Sequence, residues 1–173
     1  MTQEIPLIDL SPFWSSQREA PETKRLLQSV DSALKETGFL CITGTPLVPS
    51  YVANAQAVAQ SFFDLPLEEK MKSAAIKFKS RGYTALGEQG LSYAMDADDL
   101  KQNTAQPADL FERYRIGPID DYASMGEEVK PFLETAYAPN QWPSGVAKFE
   151  PAMKDFYQSM NQLSRDLLKI FAL

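Results

Sequence analysis

The 173-residue sequence contains no histidine. That absence removes the side chain most used as a general base at neutral pH and most used as a transition-metal ligand. It excludes Ser-His-Asp and Cys-His machinery, and the usual zinc and non-haem iron sites, from these residues. Cysteine is almost missing too: Cys41 stands alone, which rules out an internal disulfide and fits a reducing compartment. Positive charge is scarce, with 17 Lys and Arg against 23 Asp and Glu, a formal net charge of −6. No basic stripe exists to release counterions from a phosphate backbone, so no nucleic-acid partner is expected. No apolar run approaches the length that spans a bilayer, and the N-terminus lacks a positive segment followed by an apolar one. The expectation is a cytoplasmic protein without a membrane partner.

What is present fits an ordinary globular chain, 44% hydrophobic and 23% charged, long enough for one domain with a real core. Ile5-Pro6-Leu7-Ile8-Asp9-Leu10 is a short apolar run broken by proline, which predicts a strand at a sheet edge or at its start. Leu26, Leu27, Val30 and Leu34 predict a helix over 21–37, with Pro21 in its first turn and Gly38 at its exit. Phe39-Leu40-Cys41-Ile42 reads as a strand covered on both faces, with Cys41 a small buried hydrophobe. Ser50 is placed to cap a second helix carrying Val52, Ala55, Val58 and Phe62, and "DLPLEEK" restarts a short one after Pro66.

From Ser73 to about Ile116 no helical period persists, and loops with short extended pieces are expected. Leu110 to Ile116 alternates like a half-buried strand, with Phe111 read as core and Glu112 paired with Arg113; the alternative has Phe111, Glu112 and Arg113 lining the same binding mouth as Arg81 and Tyr83. A short helix is expected over 126–136. In the final segment Phe149, Met153, Phe156, Met160, Leu163, Leu167 and Ile170 recur at helical spacing, a long amphipathic helix whose apolar stripe needs cover. It runs to Leu173 without a stop signal, which gives the expectation of a longer protein cut in mid-element.

Three glycines fall within Ser80–Gly90, "SRGYTALGEQG", around Arg81, Tyr83 and Glu88. One reading has Arg81 binding a substrate carboxylate and Tyr83 stacking or donating a hydrogen bond, with close backbone approach at the glycines. The other is a surface turn with Arg81 solvated and Tyr83 packed on the scaffold. Trp142 in "NQWP" reads as a packing anchor, and Asp9 as the cap of a backbone turn. Asp96, Asp98 and Asp99 lack the glycine and distal glutamate of a calcium loop and read as a solvated acidic loop.

The ordered series "IPLIDL", "ETGFLCITGTPL", "FFDLPLEEKMK", "RGYTALGE", "DLFERYRIG", "APNQWP" and "FYQSMNQLSRDLLKIFAL" resembles the N-terminal region of the isopenicillin N synthase-like family of 2-oxoglutarate/Fe(II)-dependent dioxygenases. The resemblance runs from about Ile5 to Leu173. It implies an α+β chain: helices and first strands of a double-stranded β-helix (jelly-roll) dioxygenase, incomplete here. It implies a small-molecule substrate, with Fe(II) and 2-oxoglutarate as cofactors of the parent enzyme.

The family's iron is held by a His-x-Asp pair and a distant His, which a chain without histidine cannot supply. No catalytic or metal ligand is therefore carried over to any residue. Residues 1–173 are expected to give scaffold and part of a substrate pocket through Arg81, Tyr83 and Glu88, with the missing C-terminal half as partner. The alternatives are an iron oxidase that uses no 2-oxoglutarate and a complete, non-catalytic binding or interaction module.

Overall fold

The computed structural model describes residues 4–15, 20–47, 49–75, 81–88, 110–117, 127–128, 131 and 138–173. Among them the elements run β1 (Leu7–Asp9), α1 (Ser11–Ser15), α2 (Pro21–Glu36), β2 (Cys41–Thr43), α3 (Pro49–Phe63), α4 (Leu67–Met71), β3 (Gly82–Thr84), β4 (Arg113–Arg115) and α5 (Phe149–Phe171). Helices with a few short strands give the α+β character that the sequence predicts. The chain divides into two compact units, Met1–Ala53 with Asp155–Leu173, and Asn54–Lys154.

In the first unit, α2 opens with proline in its first turn and ends at Thr37, whose backbone N–H donates to Ala33 O at 2.9 Å. Gly38 follows at φ 72, the left-handed position that closes a helix most cheaply with glycine. Leu26, Val30 and Ala33 are buried, while Leu34 is half-exposed, so the inward stripe lies one position off the predicted one. β1 and β2 pair in parallel, Leu7 opposite Cys41, Ile8 opposite Ile42 and Asp9 opposite Thr43. Ile8, Leu10, Leu26, Val30, Ala33 and Ile170 form the core, joined by Phe13, Leu27, Leu40, Ile42 and Leu167. Removing a side chain like Leu10 from water is worth about 1.5–3 kcal/mol.

Asp9 caps a turn as expected: its Oδ1 accepts the Ser11 backbone N–H at 2.9 Å and the Ser11 hydroxyl at 2.6 Å. These bonds hold its carboxyl below the usual range. Gly44, at φ 64, lies against that carboxylate, where a Cβ would collide with Asp9 Oδ1.

Cys41 corrects an expectation, because it is exposed. The two-stranded sheet is covered on one face only: Ile8 turns inward, whereas Leu7 and Cys41 share the outward face and Phe39 is 67% exposed. α3 also begins one residue early, at Pro49, so Ser50 lies inside the helix.

In the second unit Phe62 is completely buried, with Val58, Tyr83, Phe149 and Ala152 around it. Its ring meets Phe63, Tyr83 and Tyr114 edge-on at centroid distances of 5.3, 5.6 and 4.9 Å, and Phe149 tilted at 5.3 Å. Trp142 packs on Phe149 at 6.4 Å, as an anchor should. The stripe of α5 is covered largely by this chain itself: Phe149, Ala152 and Met153 join the second unit's core, and Leu167 and Ile170 the first's. Strands from elsewhere are not needed for those positions, although Leu168 and Phe171 remain exposed. The helix predicted over 126–136 and the acidic loop at Asp96, Asp98 and Asp99 lie outside the described residues, apart from 127–128 and 131.

Candidate functional site

Gly82 lets β3 pass tightly beside the chain at Ser73–Ala75. Its φ is +108, and a Cβ there would fall 2.5 Å from Ser73 O. This close approach places Tyr83 between two neighbours. Its N–H donates to Ser73 O at 2.8 Å, and its carbonyl accepts from Ala75 N–H at 2.7 Å. On the other side β3 pairs antiparallel with β4, Tyr83 opposite Tyr114.

The Tyr83 ring is therefore buried on Phe62, and its hydroxyl donates to Glu112 Oε2. Lys70, at the end of α4, reaches the same oxygen at 2.8 Å, donates to Phe63 O at 3.1 Å and lies 5.5 Å from the Tyr83 ring centroid. Only 8% of Lys70 is exposed, a burial that an ammonium tolerates when paired and hydrogen-bonded. The bonds from Lys70 and Tyr83 hold the Glu112 carboxyl below its ordinary value of 4.5, against burial. Burial first, then the bond and charge of Glu112 and the charge of Glu88, push the Tyr83 phenol well above its ordinary 10.0. Burial likewise pushes Tyr114 up to about 12, against a lowering bond with Ser73, and its hydroxyl donates to Gln141 O.

Leu67, Lys70, Tyr83, Ala85, Leu86 and Glu112 line an open cleft of about 260 Å³. Tyr83 thus belongs both to the aromatic core and to the wall of this cleft. Glu88 is exposed on the following turn, where its Oε2 accepts the Ala85 N–H at 3.2 Å. Arg81 is half-buried, and its guanidinium fills the space beside Gly117, where a Cβ would collide with Nε. Asn140 grips Gly117 from its other groups: Oδ1 accepts the Gly117 N–H at 2.7 Å and Nδ2 donates to its carbonyl at 3.2 Å.

The sequence pointed to Arg81, Tyr83 and Glu88 and offered Glu112 as a second choice, but missed Lys70, Gly117 and Asn140. Glu112 does not pair with Arg113 as expected; it turns to Lys70, while Arg113 lies 5.9 Å from the ring of Phe111, which is exposed rather than core. The alternation of "FERYR" assigns residues to faces, but no local signal gives the partner 42 positions away.

Residues 5–145 match the family described as the N-terminal region of the non-haem dioxygenase in morphine synthesis. Among curated proteins, the chain is 30% identical over 172 residues to the 2-oxoglutarate-Fe(II) type oxidoreductase hxnY of Emericella nidulans, covering 97% of this chain and 45% of that one. It is 27% identical to the homoarginine-6-hydroxylase 2-ODD-233 of Oryza sativa, covering 98% and 48%. Among solved structures it is similar to a putative 2OG-Fe(II) oxygenase family protein from Caulobacter crescentus, with TM-score 0.71, 23% identity and coverage of 99% and 48%. A full-length Neurospora crassa protein in complex with alpha-KG and thymine gives TM-score 0.64, 24% identity and coverage of 92% and 45%. These structural likenesses establish a shared fold. The chain spans about half the length of the curated relatives it matches.

The donor set present does not fit the iron for which such relatives are named. No imidazole exists in the sequence, and among the described residues no three Cys, Asp or Glu side chains gather as metal ligands. Nonetheless, the match over residues 5–145 and the ordered motifs agree, and the chain belongs to the isopenicillin N synthase-like family of 2-oxoglutarate/Fe(II)-dependent dioxygenases, matching its N-terminal region.

Proposed function

We propose that this chain is the N-terminal part of a non-haem iron oxidoreductase that couples 2-oxoglutarate decarboxylation and O₂ to oxidation of a small molecule. The observation that carries this reading is the family match over residues 5–145 in a chain that covers only 45% of an oxidoreductase relative. In this reading, residues 1–173 give scaffold and one wall of the substrate pocket, and a further stretch of the same polypeptide supplies the iron ligands and the 2-oxoglutarate site. The bound iron, with its co-substrate, would supply the oxidising chemistry.

The role of this chain's residues is binding and orientation. Arg81 offers a guanidinium fork to a substrate carboxylate, Tyr83 an aromatic edge, and Glu88 a carboxylate on the adjoining turn. Tyr83 lines the cleft beside β3, and Glu88 stands on the turn after it, which supports the parts given to those two residues. A small-molecule substrate is supported by relatives named for homoarginine and validamycin A, and by thymine in the complex of the Neurospora crassa protein.

The test uses the intact gene product, purified and loaded with Fe(II). Succinate formation from 2-oxoglutarate that depends on iron and O₂ is the expected result. Absence of turnover across a panel of small amino acids, nucleobases and aminocyclitols, together with absence of 2-oxoglutarate binding, would count against it.

A further inference from the structure

Glu112 uses its two carboxylate oxygens unequally. Oε2 accepts both the Lys70 ammonium and the Tyr83 hydroxyl, while Oε1 takes no donor among the described residues. The side chain keeps 31% of its surface open, and it lines the cleft of about 260 Å³. Lys70 is already engaged by Glu112, by Phe63 O and by the face of Tyr83, so it offers a newcomer little. Its charge and that of Glu112 cancel locally. Glu88, two residues beyond the cleft-lining Leu86, has no ion pair among the described residues, and its Oε2 accepts the N–H of Ala85, which itself lines the cleft, at 3.2 Å. Among the described residues the cleft therefore carries a surplus of one negative charge, an unfilled acceptor, and an apolar rim formed by Leu67 and Leu86, 57% and 61% exposed.

A carboxylate or phosphate would meet repulsion at such a site and find no free donor among the described residues. A hydrogen-bond donor is required, and the surplus charge favours a cationic one. We propose that this cleft takes the ammonium end of a small amine, with Glu112 Oε1 as its acceptor and Leu67 and Leu86 against its alkyl part. This rests on reading the region as part of a substrate pocket and names the chemical class of what enters it.

The experiment titrates the intact gene product with n-butylammonium, and separately with 1-butanol and butyrate, by calorimetry. Butylammonium is expected to bind, butanol more weakly and butyrate not at all. Glu112→Gln keeps the shape and removes the charge, and should weaken butylammonium by about tenfold or more, as befits the loss of a charge-assisted bond. Leu86→Arg changes an exposed rim residue, is expected to fold even where Glu112→Gln does not, and should weaken it comparably by placing a cation at the mouth. Butanol or butyrate binding as well as butylammonium, no butylammonium binding, or affinity unchanged in Leu86→Arg would overturn the proposal. Iron-dependent 2-oxoglutarate turnover reads the enzyme assignment separately: its loss with butylammonium binding intact sinks only that assignment, and the converse sinks only this inference.

Discussion

Lys70 and Glu112, 42 positions apart in the chain, meet at 2.8 Å on an oxygen that Tyr83 also reaches. The pair joins α4 to the approach of β4, and it holds a nine-tenths buried ammonium in place. Removing one partner leaves the other's charge uncompensated, which costs roughly 3–5 kcal/mol at a fully buried pair. Because Glu112 keeps 31% of its side chain in solvent, Glu112→Ala should fall at the low end of that range. Lys70→Met should cost less, since it replaces the buried charge by an apolar chain and leaves Glu112 able to hydrate. Denaturant unfolding of the two variants checks the order.

The same network makes stability depend on pH at both ends. Glu112 titrates below its ordinary 4.5 in the folded chain, so its contribution is complete above about that pH and is lost as pH falls through the lowered value. Tyr83 titrates above its ordinary 10.0, so its contribution is complete below about that pH and is lost as pH rises towards the raised value. Unfolding free energy measured against pH should fall in both outer windows. Tyr83→Phe should flatten the alkaline fall, and Glu112→Gln the acid one; unchanged slopes would contradict the linkage.

Two glycines separate a backbone conflict from a side-chain one. At Gly82 an added methyl meets Ser73 O at 2.5 Å with φ at +108, and neither the carbonyl nor the strand can yield cheaply. A residue forced into such a conformation costs about 1–3 kcal/mol before the clash is counted. At Gly117 the obstacle is the Arg81 side chain, which has rotatable bonds through which to swing away. Gly82→Ala should therefore be the more destabilising, and Gly117→Ala should instead show itself as a displaced Arg81. Thermal unfolding of both variants tests the ranking, and a crystal structure of Gly117→Ala tests the displacement.

Phe62 carries the aromatic core of the second unit, with ring contacts to Phe63, Tyr83, Tyr114 and Phe149. Phe62→Ala should cost about 3–5 kcal/mol, the range for emptying a buried aromatic site. Phe62→Leu should recover much of that loss, because volume matters more than ring geometry. Chemical denaturation of both variants gives the comparison.

Elements governed by local rules were legible in the sequence. α2 and α5 follow from apolar spacing, the exit at Gly38 from its left-handed backbone, and the Asp9 turn from a carboxylate two residues before a donor. The candidate site was legible only as a place. "RGYTALGE" marks the turn after β3, but the groups that give the cleft its chemistry come from α4 and from the residue before β4. Their meeting is a long-range event without a sequence period. The exposure of Cys41 and Phe39 was misjudged for a related reason: an apolar run gives the capacity to be covered, not the number of layers that cover it.

That open face supports one more prediction. Leu7, Phe39 and Cys41 leave apolar surface on the outward side of a two-stranded sheet, an arrangement with little stability of its own. If the further stretch of polypeptide that the proposed function invokes adds strands or a layer there, Cys41 becomes a reporter of that cover. A thiol reagent should modify Cys41 quickly in the isolated 173-residue chain and far more slowly in the full-length protein under native conditions. Cys41→Ser should abolish the signal in both and so assign it. Equal rates in the two proteins would mean that the sheet face stays open to solvent and would count against its cover by a further stretch of the polypeptide.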